Sequence, residues 1–343
     1  MRSRALPARS VAVAAVALSA VAACSGSHKV AVKPAAETTP SATPSASPSP
    51  KPVAKDPLTG LDAKGGPVVA VKIDNAPLAR PYQKGLGRAS IVYQELVEGG
   101  LTRFLAIYEV KAAGTDDVGP VRSARESDVG VLRAFDNLPL GFSGANKGVL
   151  AIFRNAQRAG WLKDGSYDDD QAAYRLGAQR KDARNFFVDL GKLSSLNPGN
   201  TAKSIGYTFS ATPPAGVATP TAVAAFSPQS RIGLTYHPGS GRWSITQSGT
   251  PMPGVDPANI VIQRVRIQKS GFRDVHGQPT PYTVTVGAGP LTVLRDGVRI
   301  DGTWSRHIYA QTRLVGHDGH DIALKPGPTW VLLLPTTGSL SFS

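Results

Sequence analysis

No part of this 343-residue chain restricts its fold as much as residues 68–133. Residues 68–73 (VVAVKI) form a continuous apolar run broken only by Lys72, of the length expected for a buried strand. The run ends on Asp74-Asn75, and Pro77 and Pro81 exclude a helix directly after it. Residues 91–97 and 102–110 are rich in β-branched and aromatic side chains and flank Gly99-Gly100. This predicts two strands joined by a two-residue hairpin turn. With Glu98 facing Leu101 across the turn, alternation puts Gln94, Glu98, Arg103 and Leu105 on one face. A carboxylate then meets a guanidinium diagonally near the turn. In residues 119–126 (GPVRSARE), Ser123 is followed by Glu126 three positions later. This capping-box pattern predicts a helix from Ser123 toward Phe135. Arg122 and Arg125 would stand at its N-terminus, where unbonded N–H groups favour anions.

The candidate site is drawn from the same stretch: Asp74, Asn75, Arg80, Glu95, Glu98, Arg103, Arg122, Ser123 and Arg125. Two readings are open. In one, the strand ends and the helix N-terminus face a cleft where arginine holds a phosphate or carboxylate bidentately. Glu98 or Asp74 would serve there as base, orienting group or cation ligand. In the other, these residues are internal salt bridges that lock the hairpin to the helix.

Other chemistry is poorly supported. The chain has no Walker A string and no Gly-x-Gly-x-x-Gly after a strand. Gly141-Phe142-Ser143-Gly144-Ala145 misses the Gly-x-Ser-x-Gly elbow at its last position. The six histidines are His28, His237, His276, His307, His317 and His320, so the first half would have to borrow one for a Ser-His pair. His317-Asp318-Gly319-His320-Asp321 reads as a polar hairpin turn before it reads as a zinc site. Asp168, Asp169 and Asp170 read as an exposed loop or a helix N-terminus before a cation site. No metal and no cofactor is expected. Cys24 is the only cysteine, which excludes disulfides and a cysteine nucleophile within the domains.

The strings ID-N-x-P-x-x-RP (from Ile73), A-x-IVY-x-E-x-VEGG-x-TRF (from Ala89) and VGPVRSAR (from Val118) resemble the YerB-type bacterial lipoproteins. The resemblance runs over residues 57–335 and implies an N-terminal and a distinct C-terminal domain of unknown function. It brings no established activity. This chain departs from the family pattern twice. Phe142 lies in the Gly-rich string where the family tends to carry histidine, and Ala183-Arg184-Asn185 stands in place of Pro-His-Asn. If those histidines do chemistry in the family, this chain has lost or changed it.

The ends and boundaries are legible from composition. Arg2, Arg4 and Arg9 precede an apolar segment, residues 11–23, too short to span a bilayer, and Val21-Ala22-Ala23-Cys24 is a lipobox pattern. Residues 1–23 are therefore expected to be a lipoprotein signal peptide. Cys24 would be the lipidated residue, anchoring the chain on the outer face of the cytoplasmic membrane. Residues 24–56 are rich in Pro, Ser and Ala and cannot bury a core. As an extended tether they would reach on the order of 100 Å. Residues 57–196 are expected to form an α/β domain with a mixed sheet and helices, and residues 197–219 an interdomain passage. Residues 220–337 are expected to be a mainly antiparallel β domain with a hairpin turn at Asp296-Gly297. Residues 174–190 carry Arg175, Arg180, Lys181 and Arg184, either as a second basic surface or as a helix with solvated charges.

The formal charge is +14. Taking Arg2, Arg4 and Arg9 from the 38 basic residues leaves an excess of about eleven over the 24 acidic ones. Outside the membrane, that charge points to an anionic wall polymer, a lipid head group or a phosphorylated metabolite. A basic surface serving only solubility is the bland alternative. No nucleic-acid-binding motif is present and no nucleic acid is expected. The leading functional expectation is an envelope lipoprotein that binds an anionic ligand. A hydrolase or transferase acting on a wall polymer, and a scaffold for another envelope protein, are the alternatives. In a fractionation experiment, Cys24→Ala should leave the chain unprocessed or released into the medium. Normal processing and retention at wild-type level would exclude the lipid anchor.

Overall fold

The computed structural model describes residues 53–274, 277–308 and 311–343. The expected signal peptide, Cys24 and nearly all of the expected tether lie outside the described residues. The apolar run forms β1 (Val68–Asp74), buried at every position. A strand with no exposed residue needs a layer on each face of its sheet. β1 pairs antiparallel with β3 (Thr102–Glu109), which pairs antiparallel with β2 (Ile91–Leu96). On its other side β1 runs parallel to Leu138–Phe142, and that strand runs parallel to Leu162–Ser166.

The sheet does not stop at β2. β2 runs parallel to Thr329–Pro335, which in turn runs parallel to Asn259–Val265. Gly287–Arg295, Val298–Arg306 and Arg313–Gly316 follow as antiparallel neighbours, in a sheet of eleven strands. Strands account for 46% of the described residues and helices for 14%, so the α/β reading of the first half holds only in part. The second half is mainly antiparallel, apart from the parallel pair at its centre. Asp296 and Gly297, both at positive φ, make the expected turn between Arg295 and Val298. From Pro52 to Ser343 the chain is one compact unit.

Alternation along β1 sends Val69, Val71 and Ile73 to one face and Val68, Ala70 and Lys72 to the other. The first face packs on a five-stranded antiparallel sheet through Phe226, Ile232 and Trp243. The second is covered by α2 (Glu126–Leu132) and α3 (Lys147–Arg158), with Val129, Leu132, Val149 and Phe153 in the contact. Each such side chain contributes about 1.5–3 kcal/mol by leaving water. A one-turn helix, α1 (Val110–Ala113), follows β3, where the Glu109 carboxylate accepts the N–H groups of Lys111 and Ala112.

Two local expectations are corrected, and one open alternative is closed. The β2–β3 turn has three residues: Val97 N–H bonds the Leu101 carbonyl at 2.8 Å, and Gly99 and Gly100 take φ of 67° and 69°. Glu98 thus belongs to the turn, and the register slips by one, pairing Glu95 with Arg103 and Gln94 with Phe104. Gln94 therefore faces the five-stranded sheet, while Arg103 faces the helices. The helix begins at Glu126, not Ser123, because residues 121–124 are extended and bonded to strand ends. Arg122 N–H meets the Lys72 carbonyl at 2.9 Å, and Ala124 N–H meets Gly144 at 3.1 Å. Asp128, not Glu126, reaches back, accepting the Arg125 N–H at 2.7 Å. Finally, the basic segment is a pair of strands, Tyr174–Gln179 and Arg184–Asp189, and not a helix.

The passage between the halves is held along its length. Thr312 N–H bonds the Ile205 carbonyl at 2.9 Å, and Leu324 N–H bonds that of Thr208 at 2.8 Å. The buried Arg295 guanidinium donates to the Ser210 and Thr212 carbonyls at 3.0 Å each. Limited trypsinolysis of residues 53–343 should therefore spare Lys203 while the fold persists. Residues 220–343 expressed alone should lack cooperative unfolding, because Thr329–Pro335 loses its β2 neighbour. An early cut at Lys203, or a cooperative transition of that half alone, would show two independent domains.

Candidate functional site

The end of β1, the β2–β3 turn, the extended residues 121–125 and the start of α3 wall a cleft of about 780 Å³. Arg273, Asp274 and Thr280, on or beside the strands Ile267–Arg273 and Pro279–Thr283, close it from the second half. Six of the nine expected site residues line this cleft: Asp74, Glu98, Arg103, Arg122, Ser123 and Arg125. Its walls bear five cationic side chains against four carboxylates, and two of those carboxylates, Asp74 and Asp182, are already held by Arg180.

The three arginines of the cleft differ in what the fold asks of them. Arg125 makes a two-pronged ion pair with Glu98, both Oε atoms accepting, with the side chains 12% and 11% exposed. Burial opposes ionisation of Glu98, but the Arg125 fork and the Thr280 hydroxyl hold its carboxyl below the usual range. Arg103 donates to the Ser123 carbonyl at 2.9 Å. Burial first, then the charges of Arg125 and Arg122, push its guanidinium down to about 9, with Asp74 and Glu98 resisting. It remains protonated at neutral pH. Arg122 is 34% exposed and approaches Asp74 at 3.5 Å. Asp74 is otherwise committed to the fold, accepting the Ala76 N–H at 3.0 Å and the buried Arg180 at 2.8 Å. Arg103 and Arg122 therefore keep donors without partners among the described residues.

The remaining three expected residues lie elsewhere. Asn75 follows Asp74 onto the opposite face of the sheet, where it donates to Thr102 at 2.8 Å and Gln247 at 3.2 Å. Arg80 joins it, donating to the Gln247 carbonyl at 3.0 Å. Glu95 is buried under α2, where it accepts Lys72 and, at 2.5 Å, the Ser127 hydroxyl. Neither departure from the family pattern offers a reactive group to the cleft: Phe142 is wholly buried against Phe153, and exposed Arg184 donates to Gln179. His317–Asp321 is a tight turn in which Gly316 N–H bonds the His320 carbonyl, and Asp168 and Asp169 are exposed. Among the described residues, no group of His, Cys, Asp and Glu is placed to hold a metal ion.

Sequence reasoning missed Lys72, Asp128 and Arg180 as organising residues. Lys72 is 0% exposed and donates to Glu95 and, at 2.6 Å, to Asp128. Its signal was a lone charge in an apolar run, since a lysine at that depth requires partners. Arg180 was legible only as one basic residue among several.

The buried carboxylates give a pH signature. Burial raises Asp128 to about 7, Lys72 opposing and Glu95 adding to the rise. The folded state then keeps a proton that the unfolded state, near 3.8, has released. Stability from this group is complete in acid and is lost as pH rises through about 7. Glu95 is shifted the other way: burial opposes the shift, but Lys72 holds it low, and its contribution is lost as pH falls. Urea unfolding from pH 5 to pH 8 should show declining stability, and Asp128→Asn should flatten the decline. An unchanged slope in the variant would refute the assignment.

Two family models match the chain, the DUF3048 N-terminal domain over residues 58–204 and its C-terminal domain over residues 222–331, both described as protein of unknown function. A Bacillus subtilis (strain 168) protein described as "Putative lipoprotein YerB" is 48% identical over 88 residues, 24% of this chain and 26% of that protein. The matched segment thus spans about a quarter of that relative. The crystal structure of YerB protein from Bacillus subtilis superposes with a TM-score of 0.67 over 84% of this chain and 99% of that one, at 23% identity. At that identity the likeness is one of fold.

Proposed function

This chain belongs to the two-domain DUF3048 family, whose function is unknown, and from that premise we propose that it is a membrane-anchored extracytoplasmic lipoprotein holding an anionic envelope ligand in its cleft. The observation that carries the reading is the pair Arg103 and Arg122. Both enter one cleft, and both keep hydrogen-bond donors that the described fold does not use. Burial first, and then repulsion from Arg125 and Arg122, depresses Arg103, and an anion beside these guanidinium groups would offset the repulsive part. The lipobox at Cys24 and the description of the Bacillus subtilis relative as a lipoprotein support the anchor. Among the described residues, no helix is long and apolar enough to cross a membrane.

The test uses residues 53–343 with teichoic-type polymer and with anionic and zwitterionic vesicles. Wild type should bind the anionic probes, more weakly at higher salt. Arg122→Ala should weaken binding by about 1.5–3 kcal/mol, roughly ten- to a hundredfold. Arg122→Lys keeps the charge but loses the planar fork, so it should also weaken binding. Thermal unfolding should move by only a few degrees, because Asp74 retains Arg180. Failure of wild type to bind any of these anions, or severe destabilisation by Arg122→Ala, would reduce the cluster to scaffolding.

A further inference from the structure

Resting on that reading, we infer that Glu98 is a resident competitor in the cleft: its carboxylate occupies the Arg125 fork where a carboxylate of the ligand docks. The cleft would accordingly select ligands that carry a carboxylate and can displace Glu98.

Three observations carry this. First, the fork is at the cleft wall and not in the core. Arg125 and Glu98 both line the cleft, whereas the ion cluster of Lys72, Glu95 and Asp128 is sealed beneath α2. Second, Glu98 belongs to the β2–β3 turn, whose tip at Gly99 is exposed. Gly99 and Gly100 hold it in left-handed backbone, and a Cβ at Gly99 would meet nothing within 4 Å. One polar anchor ties the turn to the second sheet, the Ser227 hydroxyl donating to the Gly100 carbonyl at 2.6 Å. Third, Arg125 is incompletely satisfied. Glu98 takes Nη1 and Nη2, and the buried Nε has no partner among the described residues. A guanidinium offers a carboxylate two edges, and swinging Glu98 away opens both. Arg103 and Arg122 stand beside the fork to receive the displaced or the incoming charge. The internal pair is then a ground state that an external carboxylate exchanges with, like for like.

The experiment titrates residues 53–343 with succinate, with inorganic phosphate as comparator. Glu98→Gln removes the competing charge and should bind succinate roughly tenfold more tightly than wild type, with a smaller gain for phosphate. Adding Arg125→Ala to Glu98→Gln should abolish the gain. Should Glu98→Gln fold poorly, Glu98→Ala provides a second readout: acetate should raise its melting temperature more than that of wild type, and chloride should not. Unchanged or weaker succinate binding by a folded Glu98→Gln, or no acetate rescue of Glu98→Ala, overturns the inference. If wild type binds teichoic-type polymer while these variants behave so, the anion-binding reading survives and only the competitor role falls. If neither wild type nor Glu98→Gln binds any anion, the reading itself fails.

Discussion

One buried lysine fixes the geometry on which the rest of this fold relies. The Lys72 ammonium, fully enclosed on the third strand from one edge of an eleven-stranded sheet, would be prohibitively costly without counter-charges. It has two acidic partners, Glu95 from β2, which lies beyond β3 in the sheet, and Asp128 from α2. The Asp128 carboxylate also accepts the Arg125 N–H, and the Lys72 carbonyl accepts the Arg122 N–H. A single residue therefore places the backbones of both arginines at the cleft. Removing one charge from such a cluster strands the others and costs about 3–5 kcal/mol.

The other face of the same strands joins the two family regions. Gln94 on β2 donates to Thr102 and Gln247 and accepts from the Trp330 indole N–H at 3.1 Å. Gln247 belongs to the five-stranded sheet, and Trp330 to the strand beside β2. These buried amides are satisfied only when strands from both regions are in register, so the network rewards the assembled state over either part. Arg273, Asp274 and Thr280 of the second region likewise reach a cleft otherwise built by the first. The family boundary near residue 204 divides the sequence but not the sheet.

What could be read from the sequence followed the range of the interaction. β1 and the β2–β3 pair are visible because their periodicity is local and strong, and six of nine site residues follow from β1, the turn and the arginine string. The one-residue slip at Glu98 was not visible, because two glycines can close a two- or a three-residue turn equally well. The start of α2 was misplaced because tertiary hydrogen bonds to Lys72 and Gly144 outweigh a capping preference of about 1 kcal/mol. Nothing local marks Arg180 as the partner of Asp74, and nothing local pairs β2 with Thr329–Pro335 across most of the chain. The alternation that sends Asn75 away from Asp74 was available, and applying it past the end of β1 would have removed Asn75 from the site.

The position of the cleft follows from how the chain leaves the sheet. β1 and Leu138–Phe142 are parallel neighbours, so their C-terminal ends point the same way. From Asp74 the chain turns toward the five-stranded sheet, where Asn75 and Arg80 meet Gln247. From Phe142 it turns to the other face, through Gly144 to α3. Two adjacent parallel strands whose connections part to opposite faces leave a crevice between them at their carboxyl ends. Ser123, bonded on its carbonyl by Arg103, lies across that crevice with Arg122 and Arg125 on either side. The crevice is thus imposed by topology, and the guanidinium groups are what this chain has placed in it. That separation allows the side chains at the crevice to change without altering the sheet that creates it.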